Sequence, residues 1–151
     1  AQLGSAVYGA DVTSLEEVVL PLLKERGLTL GCAESCTGGL VAARLTEVPG
    51  ASAVFGCGIV SYNNTVKAEV LGVDPAIIEQ YTAVSAETAA AMAAAIRQKS
   101  GAAIGIGITG NAGPLPVKVS RSGWSLWQWP AKNTAMSAAF SSTATMPTPG
   151  I

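Results

Sequence analysis

Histidine is absent from this 151-residue chain, which removes every Ser-His-Asp or Cys-His relay and imidazole as a metal ligand. Acid–base chemistry is left to Lys, Tyr, Cys, Asp or Glu. Charge is scarce as well: Asp, Glu, Lys and Arg make up 13% of the residues and nearly cancel, at a formal net charge of -1. A chain with no excess of cations cannot neutralise many phosphates, so neither general nucleic-acid binding nor binding to an anionic membrane is expected. Long apolar runs are missing too; none reaches the roughly 18 residues of a membrane span, and no basic stretch followed by an apolar one marks a signal peptide. The three cysteines, Cys32, Cys36 and Cys57, are an odd number whose C-x3-C pair lacks a second ligand pair. Buried thiols in a reducing cytosol are the expectation, with no metal and a cytoplasmic location.

What is present is apolar. Hydrophobic residues make up 49% of the chain and the mean hydropathy is +0.40, enough for a folded domain with a real core. Residues 1–12, with Gly4 and Gly9, read as a linker or incoming strand. Thr13 with Glu16, or Ser14 with Glu17, has capping-box spacing ahead of Leu15, Val18, Val19, Leu22 and Leu23, a helix that Gly27 closes and in which Pro21 is expected to make a kink or an exposed turn. Leu28–Ala33 has strand length, and a helix follows Gly38-Gly39 to about Glu47. Val54–Tyr62 is a second strand, broken by Asn63-Asn64. Thr65–Leu71 and a helix from Asp74-Pro75 to about Tyr81 come next. Ser85 caps an Ala-rich helix to Ser100, and Ala103–Thr109 alternates Ile with Gly as a third strand whose glycines imply close packing. Strands alternating with helices predict an α/β fold, a three-layer sandwich around a mostly parallel sheet. Ligands are expected where the carboxyl ends of the strands meet the loops.

Beyond Pro114 the composition changes. Every acidic residue lies before it; afterwards come only Lys118, Arg121 and Lys132 among charged residues, and Trp124, Trp127 and Trp129 crowd together. Residues 13–114 therefore read as the core and 115–151 as an atypical, divergent tail, of the composition a change of reading frame near Leu115 would produce.

Three loops that follow strands hold the polar residues. Ser35, ahead of a helix start, suits a nucleophile whose attack creates an oxyanion. Serine needs a base; without histidine that base is a desolvated lysine, and Lys67 is the one best placed. Tyr62 has a phenol to relay the proton or hold a substrate. The structural alternatives are plain: Ser35 or Thr37 caps the helix, Cys36 is a packed thiol or the nucleophile, Lys67 is a solvated surface cation, and the glycines form tight turns.

Ala33-Glu34-Ser35-Cys36-Thr37-Gly38-Gly39, then Ser61-Tyr62-Asn63 with Lys67 and Leu71-Gly72-Val73, then Ala83-Val84-Ser85 with Glu87, and Thr109-Gly110-Asn111-Ala112-Gly113-Pro114 together resemble the C-terminal domain of the CinA family of competence/damage-inducible proteins. The resemblance covers roughly residues 14–114. It implies a nicotinamide-nucleotide amidohydrolase that converts nicotinamide mononucleotide to nicotinic acid mononucleotide and ammonia, without metal or cofactor and often as a homodimer. Ser35 would be the nucleophile with Lys67 and Tyr62 as activating partners. Glu34, Thr37, Gly38, Gly39, Thr109 and Gly110 would line the substrate pocket, the helix start at Gly38-Gly39 offering donors either to the oxyanion or to substrate oxygens. Arg44 and Arg97 are the phosphate candidates beyond the first helix. The competing reading is a non-catalytic nucleotide-binding or regulatory module of a two-domain protein.

Overall fold

The computed structural model describes residues 12–111 and 135–142. The strands Leu30–Glu34 (β1), Phe55–Val60 (β2), Ile104–Asn111 (β3) and Ala135–Ser142 (β4) form one sheet in the order β2-β1-β3-β4. β1 pairs parallel with β2 and with β3, while β4 runs antiparallel along the far edge of β3. β4 lies within the segment expected to be divergent, and it supplies the one antiparallel pairing among the described strands. All five residues of β1 are buried, as a parallel strand covered on both faces requires.

The helices Glu16–Glu25 (α1), Leu40–Thr46 (α2), Pro75–Tyr81 (α3) and Ala86–Ser100 (α4) complete three layers. Leu20 of α1 and Leu45 of α2 pack with Leu30 and Val54 on one face; Met92 and Ile96 of α4 pack with Ala33, Leu71 and Val73 on the other. The alternation of β3 has a direct cause. Ile104 and Ile106 join the α1/α2 side, whereas a Cβ on Gly105 or Gly107 would stand 2.1 Å and 2.2 Å from the carbonyl oxygens of Ala93 and Ala89. Only glycine lets the alanine face of α4 lie against the sheet backbone.

Caps appear where their chemistry predicts. Ser85 Oγ accepts from Thr88 N at 3.0 Å, and Asp74 Oδ1 from Ala76 N at 2.9 Å with Pro75 opening α3. Ser14 Oγ accepts from Glu17 N at 3.4 Å, while the Glu17 carboxylate reaches back to Thr13. Pro21 sits on an exposed face and α1 continues through it to Glu25. Several features differ from expectation. β1 starts two residues later and ends one residue later than predicted, to include Glu34; β2 is shorter at both ends and gains an extra residue, Gly56, where its register against β1 shifts; β3 runs two residues past its predicted end, to Asn111; and Val66–Leu71 winds as a π-helix.

Candidate active site

Successive residues of a strand point to opposite faces, and the carboxyl end of β1 uses this to separate two kinds of chemistry. Glu34 faces α2; Ser35, the next residue, faces the layer of α4 and the π-helical segment. Ser35 N donates to Ile108 O at 3.0 Å and Ser61 N to Glu34 O at 2.7 Å, so the ends of β1, β2 and β3 hold the two residues from both sides.

The π-helical segment brings Lys67 to Ser35. Asn63 Oδ1 accepts from Val66 N at 2.8 Å, and Gly72, at φ 93°, ends the winding with Gly72 N bonded to Ala68 O. Lys67 and Leu71 are the buried residues of this wide turn. Such turns recur at functional sites because they project a side chain that an α-helix would turn away. Lys67 Nζ donates to Ser35 Oγ at 3.0 Å and to Ser61 O at 2.8 Å. Ser61 was not singled out in the sequence because its contribution is a backbone carbonyl, for which no residue type gives a signal.

Lys67 is 2% exposed and Ser35 5%. No carboxylate among the described residues forms an ion pair with Lys67; the ion pair they contain is Arg44–Glu16 at 2.6 Å, on the surface. Burial therefore pushes the Lys67 ammonium below its ordinary 10.5, with the Cys36 sulfur pulling weakly the other way. In its neutral form such an amine can accept from the Ser35 hydroxyl while still donating to Ser61 O. Cys36 behaves oppositely. Burial raises its thiol above the ordinary 9.0 despite the nearby N–H groups of Cys36 and Thr37 and the charge of Lys67. It is a neutral thiol at pH 7.

Glu34 has a different task from the one expected. It is 1% exposed, and its carboxylate accepts from Gly39 N at 3.2 Å, Val41 N at 3.1 Å and Ala42 N at 2.9 Å. Burial would raise its pKa, but the Thr37 hydroxyl and the N–H groups of Ala42 and Val41 outweigh that and hold it below the ordinary 4.5. Thr37 acts there by proximity, since its Oγ1 is buried without a hydrogen-bond partner. Glu34 thus fills the start of α2 from inside the protein. The donors expected at Gly38-Gly39 are likewise committed: Gly38 N bonds to Ser35 O at 3.0 Å and Leu40 N to Thr37 O at 3.1 Å.

The remaining expected residues divide. Gly38 and Gly39 have φ of 61° and 99°, a region L-residues rarely adopt. A Cβ on Gly39 would also touch Val60 Cγ2 at 3.3 Å. Thr109 is buried with its hydroxyl donating to Ala83 O at 2.6 Å; it ties down the 82–85 turn, where Thr82 holds φ 72° under bonds from Ser85 and Thr88. Gly110 is partly buried and paired with Met136 of β4. Tyr62 follows Ser61 but is 72% exposed, and no hydrogen bond joins it to Ser35 or Lys67 among the described residues. The Ser35–Lys67 contact closes without it. Arg44 is taken by Glu16 on the far side of α2, and Arg97 lies near Thr29 and Gly101, beside the amino ends of β1 and β3. Neither is at the Ser35 end of the sheet.

Serine–lysine pairs recur on unrelated folds, so kinship has to be decided by the whole chain. The family model for the CinA C-terminal domain matches residues 12–143. The chain belongs to the CinA C-terminal domain family. The match extends past Pro114 through β4. A CinA-like protein of Frankia casuarinae is 58% identical over 114 residues, 76% of this chain and 26% of that protein. A putative competence-damage inducible protein of Halothermothrix orenii is 50% identical over 113 residues, 75% and 27% respectively. The chain thus spans about a quarter of the length of these curated relatives. Among solved structures, the competence/damage inducible protein of Agrobacterium tumefaciens superposes with a TM-score of 0.71 at 33% identity, covering 91% of this chain and 77% of that one. A competence damage-inducible protein A of Klebsiella pneumoniae gives 0.66 at 29% identity, covering 87% and 81%. The CinA fold is accordingly α/β with helices on both faces of the sheet. Among the described residues no helix is long and apolar enough to cross a membrane.

Proposed function

We propose that this CinA domain is an amidohydrolase that converts nicotinamide mononucleotide to nicotinic acid mononucleotide and ammonia through an acyl-enzyme at Ser35. The observation that carries the chemistry is the 3.0 Å contact between Lys67 Nζ and Ser35 Oγ, with the amine buried and in no ion pair with a described carboxylate. The choice of substrate rests on the resemblance to the family.

Neutral Lys67 takes the Ser35 proton as Oγ bonds to the carboxamide carbon, and the carbonyl π pair moves onto oxygen. The oxyanion collapses, the C–N bond breaks, and the Lys67 ammonium delivers its proton to the leaving nitrogen, releasing ammonia and regenerating neutral lysine. Water then attacks the ester, again giving a proton to Lys67, which returns it to Ser35 as the carboxylic acid leaves. The Ser61 carbonyl, bonded to Nζ throughout, keeps the amine aimed at Oγ. Tyr62, open at the rim, is assigned to holding the bound substrate; the relay itself needs two side chains. We further propose that the active form is a homodimer in the cytoplasm.

The test is ammonia release from nicotinamide mononucleotide by the parent and by Ser35→Ala. Turnover by the parent and its loss in the variant are expected. Full activity in the variant would eliminate the acyl-enzyme, and tight nucleotide binding without turnover in either would favour the binding-module reading.

A further inference from the structure

The backbone donors around Ser35 can be counted one by one, because every buried N–H needs an acceptor. Ser35 N bonds to Ile108 O, Gly38 N to Ser35 O, and Leu40 N to Thr37 O. Gly39 N, Val41 N and Ala42 N all go to Glu34. From residue 35 to residue 42, two N–H groups are left over. Those of Cys36 and Thr37 donate to no oxygen among the described residues, and they belong to the residues directly after the nucleophile.

We propose that the N–H groups of Cys36 and Thr37 form the oxyanion hole of this site, and that Glu34 is the positioning residue that leaves them available. The inference rests on the amidohydrolase reading above. Three features support it. Gly38 N, bonded to Ser35 O at 3.0 Å, closes a four-residue turn that puts Cys36 and Thr37 at its two central positions, and successive turn N–H groups without an acceptor are the means by which backbone binds anions. The same two N–H groups and Lys67 each pull toward an anion on the Cys36 sulfur, although burial outweighs them for the thiol itself. Finally, Glu34 satisfies three N–H groups of the α2 start, so the substrate oxygen has no competing donors there and is directed to the turn. The carbonyl carbon bonded to Ser35 Oγ then has its oxygen within the same turn that carries the serine, and the developing charge meets donors that are fixed before reaction.

Proline isolates the donor. Position 36 is the second residue of the turn, where proline is favoured, and the preceding Ser35 directly follows β1, its N–H bonded to Ile108 O. Cys36→Pro and Cys36→Ala both lose the thiol and differ in the N–H. Their kcat values for ammonia release from nicotinamide mononucleotide are expected to differ by about 10²–10³-fold, with proline the slower. Because a proline ring adds bulk, the second variant replaces the Ser35–Cys36 amide by an ester through an α-hydroxy acid at position 36, which deletes the hydrogen and keeps the shape. The same loss in kcat, with the smaller change in KM, is expected. An independent readout is affinity for the substrate analogue carrying an aldehyde in place of the carboxamide, which forms a hemiacetal on Ser35. The ester variant should lose affinity for the aldehyde and retain it for product. Equal kcat and equal aldehyde affinity in the ester variant and the parent would overturn the assignment, while an inactive Ser35→Ala measured alongside would leave the amidase reading standing. Full activity of Ser35→Ala would remove both.

Discussion

Glu34 and Ser35 are neighbours in the chain, both buried, and they face opposite sides of the same sheet. On the α2 side, one carboxylate meets three backbone N–H groups and a nearby hydroxyl. On the π-helical side, an ammonium meets one carbonyl and one hydroxyl, with no described carboxylate to neutralise it. Both environments are desolvated, so the difference lies in what replaces water. Where the replacement is complete, the charge is held firmly and the residue is structural; where it is incomplete, the group is pushed toward its neutral form and becomes reactive.

The largest effect should come from the incomplete side. Lys67→Met is expected to lower ammonia release by about 10³-fold or more, in keeping with the loss of a general base from a two-residue relay. Lys67→Arg should fare no better, because a guanidinium does not deprotonate at working pH. Steady-state rates of the two variants check this, and appreciable activity in Lys67→Arg would erase the contrast between the two faces.

On the complete side the expected effect is on stability. Glu34→Gln leaves at least one backbone N–H of the α2 start without an acceptor and should cost about 1–3 kcal/mol, read by denaturant unfolding. The pH dependence has a definite sign. Glu34 is held below its ordinary 4.5, so its stabilisation is present above that value and is lost as pH falls through the lowered folded pKa. The acid limb of stability should therefore flatten in Glu34→Gln.

Lys67 titrates with the same sign, at the alkaline end of the range. Its folded pKa lies below 10.5, so between the two values the unfolded chain binds the extra proton and stability rises with pH. Cys32, whose thiol is pushed up to about 12 from 9.0 mainly by burial, works against that rise in the alkaline range. The difference between parent and Lys67→Met isolates the lysine: the parent's stability should gain relative to the variant's as pH climbs toward 10.5. A constant difference would contradict the depressed pKa.

Tyr62→Phe should have the smallest effect on the comparison. Exposed and unbonded to the pair, the phenol has no hold on Lys67, so the pH at which activity rises should be unchanged in the variant even where KM shifts. A displaced limb would place the tyrosine inside the relay.

Much of the fold was legible because its signals are local: a serine at a helix start, Asp-Pro ahead of another, isoleucine alternating with glycine where a helix lies on the sheet. Ser35 and Lys67 could be selected without geometry because the absence of histidine leaves few bases. The task of Glu34 was not legible. Its partners lie five to eight residues onward, and whether it faces them depends on strand parity, which the predicted strand end at Ala33 left undetermined. The π winding was hidden as well, since the residues of Val66–Leu71 suit an α-helix equally, and only the packing of Lys67 and Leu71 distinguishes them. The direction of Tyr62 follows from where β2 ends, two residues before the predicted end.

Lys67 is central: burial beside Ser35 lowers the pKa of its ammonium, so that the amine is more readily found neutral and able to accept a proton. Titrating its Nζ directly by heteronuclear NMR, in the parent at constant ionic strength, tests it most simply. The midpoint should fall below 10.5 and coincide with the pH at which kcat/KM for ammonia release rises. A midpoint at or above 10.5, or a rate limb unrelated to it, would contradict the account.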